Sequence, residues 1–137
     1  MLEAGHEPII LDNLHNSDKS VLESIAKITG KKPTWVNGDV RQIDQLREIF
    51  AHAAGPIDAV IHLAALKSVA ESVTDPINYY AVNVGSLLEL MRAMEEAKCY
   101  KLVFSSSATI YGQATELPIT EKAKICPAPP NLSLIHI

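Results

Sequence analysis

The sequence predicts an α/β fold, a doubly wound parallel sheet with helices on both faces, on three observations. Short apolar runs alternate four times with segments of helical period along the 137 residues. One run, residues 58–65, is almost continuously apolar, as a parallel strand covered on both faces should be. Polar residues able to do chemistry stand at the ends of these runs: Asp12, Asp39, Lys67 and Ser107. Right-handed crossovers put every strand C-terminus on one edge, where such sheets bind ligands.

The first strand is residues 8–12, entered just after Gly5. That glycine reads as a helix C-cap, which makes residues 1–4 the last turn of a helix whose start is absent. From Ser17 onward, apolar residues recur at Val21, Leu22, Ile25 and Ile28, a helix ending near Gly30. Residues 34–39 form the second strand. Leu46, Ile49, Phe50 and Ala53 mark a second helix, stopped at Gly55-Pro56. After the third strand, a long helix is expected over 76–98, with Leu87, Leu90, Met91 and Met94 on one face. Residues 101–105 make a fourth strand, also buried. Beyond Gly112 the periodicity fades, and Pro118, Pro127, Pro129 and Pro130 break any regular element. Residues 1–127 thus read as one partial domain and 128–137 as a tail.

Composition narrows the partners. Hydrophobic residues make up 47% and charged residues 20%, ordinary for a domain with a buried core. A net charge of −4, with both signs interspersed, gives no reason to expect nucleic acid or an anionic membrane. No apolar run approaches the ~18 residues of a membrane span. The N-terminus lacks the basic and long apolar stretches of a signal peptide, so a cytoplasmic location is expected. Cys99 and Cys126 lack the spacing of a metal site or redox pair, and no metal is expected.

An acidic residue at the end of a dinucleotide-binding strand accepts hydrogen bonds from ribose hydroxyls. Asp12 stands at such an end, and no arginine directly follows it, which favours NAD over NADP. The plainer alternative is that Asp12 opens a turn and that Asn16 or Ser17 caps the next helix. Gly38-Asp39-Val40 ends the second strand, where a side chain can reach an adenine amino group, or simply turn the chain. His62 lies inside an apolar strand and reads as a core histidine. Lys67, at the third strand end, is either a ribose or phosphate contact or an ordinary exposed lysine. Ser107 leaves the fourth strand, where a hydroxyl can relay a proton or hold a substrate hydroxyl.

Asp12-Asn13-Leu14-His15-Asn16-Ser17 and Gly38-Asp39-Val40-Arg41 resemble the extended short-chain dehydrogenase/reductase family, which has a Rossmann-like fold. His62-Leu63-Ala64-Ala65-Leu66-Lys67-Ser68-Val69, Glu71-Ser72-Val73, Pro76, Tyr79-Tyr80 and Asn83 narrow the resemblance to the UDP-glucose 4-epimerases. Phe104-Ser105-Ser106-Ser107-Ala108-Thr109-Ile110-Tyr111-Gly112 fits the same family. The resemblance runs from Met1 to about Pro127, and the tail does not share it. Residues 131–137 resemble translated sequencing-adapter read-through instead.

The resemblance implies an enzyme of galactose metabolism that interconverts UDP-glucose and UDP-galactose through a transient 4-keto sugar and bound NAD. It implies that Ser107 holds the sugar 4-hydroxyl and helps pass its proton. Asp12 and Asn13, with Asn16 and Ser17 beside them, would hold the adenosine ribose; Asp39 and Val40 would meet the adenine. Leu63, Ala64, Ala65, Lys67 and Asn83 would line the middle of the cofactor path, Lys67 also facing substrate. Family members pair as homodimers through helices that include the 76–98 stretch.

Two family motifs are not in the sequence. The six glycines, at 5, 30, 38, 55, 85 and 112, are too scattered for the pyrophosphate-binding loop. Tyr79, Tyr80, Tyr100 and Tyr111 are each followed four residues on by something other than lysine, so none begins the Y-x-x-x-K base pair. The first strand and the substrate domain are expected to be missing, and the chain to be inactive and poorly soluble. The nearest alternative is a nucleotide-sugar 4,6-dehydratase or another NAD-dependent sugar epimerase. A dehydratase needs a carboxylic acid beside the hydroxyl residue, whereas Ala108-Thr109-Ile110 follow Ser107. The alternative of another class is a non-catalytic NAD-binding module.

Overall fold

The computed structural model describes residues 1–112 and 117–125. The tail at 128–137 and Cys126 lie outside them. Gly5 closes a 3₁₀ turn, Leu2–Ala4, at φ 84°, so the expected cap is present on a tighter turn than an α-helix. The chain then runs β1 (Ile9–Asp12), α1 (Ser20–Thr29), β2 (Thr34–Asn37), α2 (Ile43–His52) and β3 (Val60–His62). It continues through α3 (Val69–Thr74), α4 (Pro76–Tyr80), a π-helical turn over Ala81–Gly85, α5 (Ser86–Glu96) and β4 (Leu102–Phe104).

Both strand pairings are parallel. Ile9 stands opposite Thr34 and Asp12 opposite Asn37; Val60 stands opposite Leu102 and His62 opposite Phe104. The parallel order follows the sequence reading, but the strands form two pairs, β1–β2 and β3–β4, rather than one sheet. Among the described residues, no strand pairs with the remaining edges of β1 and β3.

One core joins the two pairs. Leu46 of α2 and Leu90, Ala93 and Met94 of α5 are buried together with Cys99. Leu11 of β1 and Val60 of β3 pack against that cluster. Each buried leucine contributes roughly 1.5–3 kcal/mol. Successive strand residues face opposite sides: Leu11 meets the α2–α5 layer, while Ile10 shares a cleft with Ile25 and Thr29 of α1. Helices therefore cover both faces of the first pair.

The second pair differs from expectation. Residues 58–65 are expected to be covered on both faces and 101–105 to be buried, yet of the strand residues only His62 is buried, at 4% exposure. Ile61 is 45% exposed, Val103 58% and Phe104 47%. The α2–α5 layer takes the side of Val60, and among the described residues no helix takes the other. The same economy leaves Met91 exposed on α5, whose Leu90 and Met94 are buried as predicted.

The expected 76–98 helix is interrupted. Pro76 opens α4, where the Asp75 carboxylate accepts the Asn78 N–H at 3.3 Å, and the π turn then separates α4 from α5. Six-residue α3 is too short for its periodicity to stand out, but its start is written in Ser68-x-x-Glu71: the Ser68 hydroxyl accepts the Glu71 N–H at 3.4 Å.

Candidate functional site

At the end of β1 the chain folds around Asp12. Its Oδ1 accepts the Leu14 N–H at 2.7 Å and the Ser17 hydroxyl at 2.8 Å. Among the described residues no donor reaches Oδ2. Ser17 is thus spent on Asp12, and neither it nor exposed Asn16 caps α1. The helix begins later, at Ser20, whose N–H donates to Asp18 Oδ1 at 2.8 Å; the Ser20 side chain first, and that N–H second, hold the carboxyl below its usual range. Asn13 spans to the next strand end, Nδ2 donating to Asp39 Oδ2 at 3.2 Å.

Asp39 is the most heavily bonded carboxylate here. Arg41 donates from Nε to Oδ1 at 3.0 Å and from Nη2 to Oδ2 at 2.7 Å, and its N–H reaches Oδ1 at 2.9 Å. Arg41 is the chief reason the Asp39 carboxyl is lowered to about 2. Gln45 of α2 accepts the Asp39 N–H at 3.1 Å. A Cβ on Gly38 would meet that same Gln45 oxygen and Leu11 Cδ1, so a larger residue there would push both side chains aside. Val40 is half-buried and packs against the core.

The β3 end is held from a helix. Asn83, in the π turn, accepts the Leu66 N–H at 2.8 Å and donates to the Leu66 carbonyl at 2.9 Å. The amide expected to face a cofactor therefore pairs with a peptide of the 63–67 segment. Leu63, Ala64, Ala65 and Lys67 are exposed along that segment. His62 is the core histidine expected: it stacks on Phe104 with 5.7 Å between ring centroids, and burial pushes its pKa down.

At the β4 end, the Ser105 N–H donates to the His62 carbonyl at 3.1 Å. Half-buried Ser107 follows, its carbonyl accepting the Ile110 N–H at 3.3 Å as the 3₁₀ turn Ala108–Tyr111 begins. Tyr79 is buried, and its hydroxyl donates to Glu71 at 3.1 Å. Burial, then Glu71, raises its pKa, the reverse of what a phenolic base needs.

The structure thus joins Asp12, Asn13, Ser17 and Asp39 at one strand-pair end and ties Asn83 to the segment carrying Lys67 at the other. Sequence reasoning missed Arg41 and Gln45 as partners of Asp39. The available signal was Asp39-x-Arg41, the spacing of an Asx turn. Among the described residues there is no group of three or more side chains fit to hold a metal, and no helix long and apolar enough to cross a membrane.

Comparison with known proteins bears on this edge. The GDP-mannose 4,6 dehydratase family model matches residues 1–131. A UDP-glucose 4-epimerase of Yersinia pestis is 50% identical over 121 residues, which are 88% of this chain and 35% of that protein. One from Klebsiella pneumoniae is 45% identical over 121 residues, covering 88% of this chain and 86% of that sequence. The crystal structure of a Stenotrophomonas maltophila UDP-glucose-4-epimerase, with bound NAD and formylated UDP-arabinopyranose, superposes with TM-score 0.86 at 41% identity. That match takes in 98% of this chain and 39% of the crystallised one. The chain spans about a third of the length of most of the curated relatives it matches.

Proposed function

The chain belongs to the family of the GDP-mannose 4,6 dehydratase model and to the UDP-glucose 4-epimerases, and from that premise we propose that it forms the NAD-binding side of an enzyme interconverting UDP-glucose and UDP-galactose. The observation that carries the reading is the row of strand ends: Asp12, Asp39, Lys67 and Ser107 follow, in order, the four strands of two parallel pairs.

The residues fit the cofactor. Asp12 has its Oδ1 fixed by Leu14 and Ser17, which orients Oδ2 as an acceptor for the ribose hydroxyls. Asn13, Asn16 and Ser17 complete that corner, and Asp39 with Val40 borders the adenine. Leu63, Ala64 and Ala65 offer an apolar path toward Lys67. Asn83 shapes that path through the Leu66 peptide. When bound, NAD supplies the acceptor, and then the donor, of the electron pair at the sugar C4. Ser107 would hold the 4-hydroxyl and help pass its proton to the tyrosine base of the family, which none of the four tyrosines of this chain supplies. Ala108-Thr109-Ile110 bring no carboxylate to that place, which favours epimerisation over dehydration.

The proposal includes a cytoplasmic enzyme that pairs as a homodimer. Ile77, Leu88 and Met91, exposed on α4 and α5, are the apolar groups such pairing would cover. Titration calorimetry tests the cofactor reading: NAD+ binds the 137-residue chain weakly, and Asp12→Ala abolishes the binding. Because no tyrosine in the chain begins Y-x-x-x-K, the same preparation leaves UDP-galactose unconverted. Turnover by this chain, or equal NAD+ affinity in Asp12→Ala, would contradict the proposal.

A further inference from the structure

The sequence distinguishes the two nicotinamide cofactors only by what stands at the end of β1: Asp12 repels a 2′-phosphate, and no arginine directly follows it. The fold brings an arginine there from the turn that follows β2. Asn13 Nδ2 and Arg41 Nη2 donate to the same oxygen, Asp39 Oδ2, at 3.2 and 2.7 Å. The guanidinium therefore shares a carboxylate oxygen with the residue adjoining Asp12. It is 42% exposed, while the carboxylate that holds it is 19% exposed. Lys19, on the loop between β1 and α1, is placed over the Trp35 ring, 4.6 Å from its centroid. Arg41 is thus the cation that the Asp39–Asn13 bridge places beside the ribose corner.

A guanidinium cannot be deprotonated here, and its planar fork suits phosphate as well as carboxylate. What decides its use is the acceptor it already has. Asp39 accepts from Nε, from Nη2 and from the Arg41 N–H, so the fork is closed on an ion held in place by a turn. A 2′-phosphate would have to open that pair and also meet Asp12.

We infer that Asp39 is a specificity-determining residue, which keeps Arg41 closed and so withholds from a 2′-phosphorylated cofactor the cation that would bind it. The inference deepens the NAD reading of this site and rests on it. Arg41 is then a latent phosphate ligand, and Asp12 and Asp39 exclude the 2′-phosphate by different means, one by repulsion and the other by occupation.

The test is the ratio of NADP+ to NAD+ affinity, measured by calorimetry on the 137-residue chain, its Asp39→Asn variant and the double variant Asp39→Asn/Arg41→Leu. Asp39→Asn keeps the shape, removes the charge and raises the ratio about tenfold, the scale of one charge-assisted hydrogen bond. The double variant returns to the starting ratio. Should Asp39→Asn melt below the assay temperature, Asp39→Ser replaces it. An unchanged ratio in a variant that still binds NAD+ overturns the inference and leaves the NAD reading intact. A raised ratio that survives Arg41→Leu overturns it too, because loss of charge alone would then explain the change. No binding of either nucleotide by the parent chain overturns the NAD reading, and this inference with it.

Discussion

In the β1–β2 pair, the strand-end groups hold one another: Asn13 reaches Asp39, Arg41 closes on Asp39, and Ser17 returns to Asp12. In the β3–β4 pair, a helix holds the strand end, Asn83 pairing both polar groups of the Leu66 peptide. The first arrangement is ionic and partly exposed; the second is neutral and part-buried. Ionic contacts near water contribute little stability but fix which charges a ligand meets. A paired peptide contributes little until it is broken, when two groups lose their partners at once. The contrast leaves charged groups at the end of the first pair and a neutral, peptide-holding contact at the second, with the α2–α5 core common to both.

The largest effect expected is on that common core. Leu90→Ala should cost about 2–5 kcal/mol, since Leu90 is 4% exposed and its loss opens a cavity in the cluster with Leu46 and Met94. Trp35, the single tryptophan, reports the first pair. If the core unites the pairs, urea unfolding followed by Trp35 fluorescence and by far-ultraviolet circular dichroism shifts together. A tryptophan transition left in place while the other moves would show two independent units.

Next in size is the helical clamp. Asn83→Ala should cost about 1–3 kcal/mol by leaving the Leu66 N–H and carbonyl without partners. Hydrogen exchange at the Leu66 amide should accelerate, while the Asp39 amide, bonded to Gln45, keeps its rate. Equal acceleration at both would mean that the two strand ends are not held separately.

Much of this contrast was legible in the sequence, unevenly. Asp12, Asp39, Lys67 and Ser107 could be placed because apolar runs mark strand ends. Gly5 and Gly30 could be placed as caps because their left-handed backbone, at φ 84° and 69°, favours glycine. The exposure of Ile61 and Val103 was not legible, because an apolar run does not say how many layers will cover it. Nor was the Asn83 clamp: a π turn adds a residue to the helical register, and no spacing rule for an ordinary helix puts position 83 against position 66. Arg41 escaped because a local turn with Asp39 gave no hint that Asn13, 26 residues earlier, would share the carboxylate.

Acid separates the pairs in order. Burial lowers the His62 pKa from 6.5, so the unfolded chain takes its proton more readily than the folded one. Its contribution is complete above pH 6.5 and lost as the pH falls through and below that value. Asp39 is lowered from 3.8 to about 2, so the same sign applies in a later window. Its contribution is complete above 3.8 and lost as the pH falls toward 2. Melting temperature should therefore decline first below pH 6.5, and His62→Gln should remove that early limb while leaving the later one. An early limb that persists in His62→Gln would detach it from the β3–β4 pair.

The smallest effect should come from the pair that looks strongest on the surface. Arg47 of α2 forks onto Glu96 of α5 at 2.8 and 2.7 Å, and also reaches Asp44 at 3.0 Å. Both Arg47 and Glu96 are about half exposed, each at 49%, so water screens the attraction and two long side chains must be held still to keep it. Glu96→Ala should therefore cost less than about 1 kcal/mol, and less still in half-molar salt. The helices it joins already share Leu46, Leu90 and Met94. A loss as large as that of Leu90→Ala would mean that the ion pair, rather than the apolar contact, sets how α2 and α5 meet.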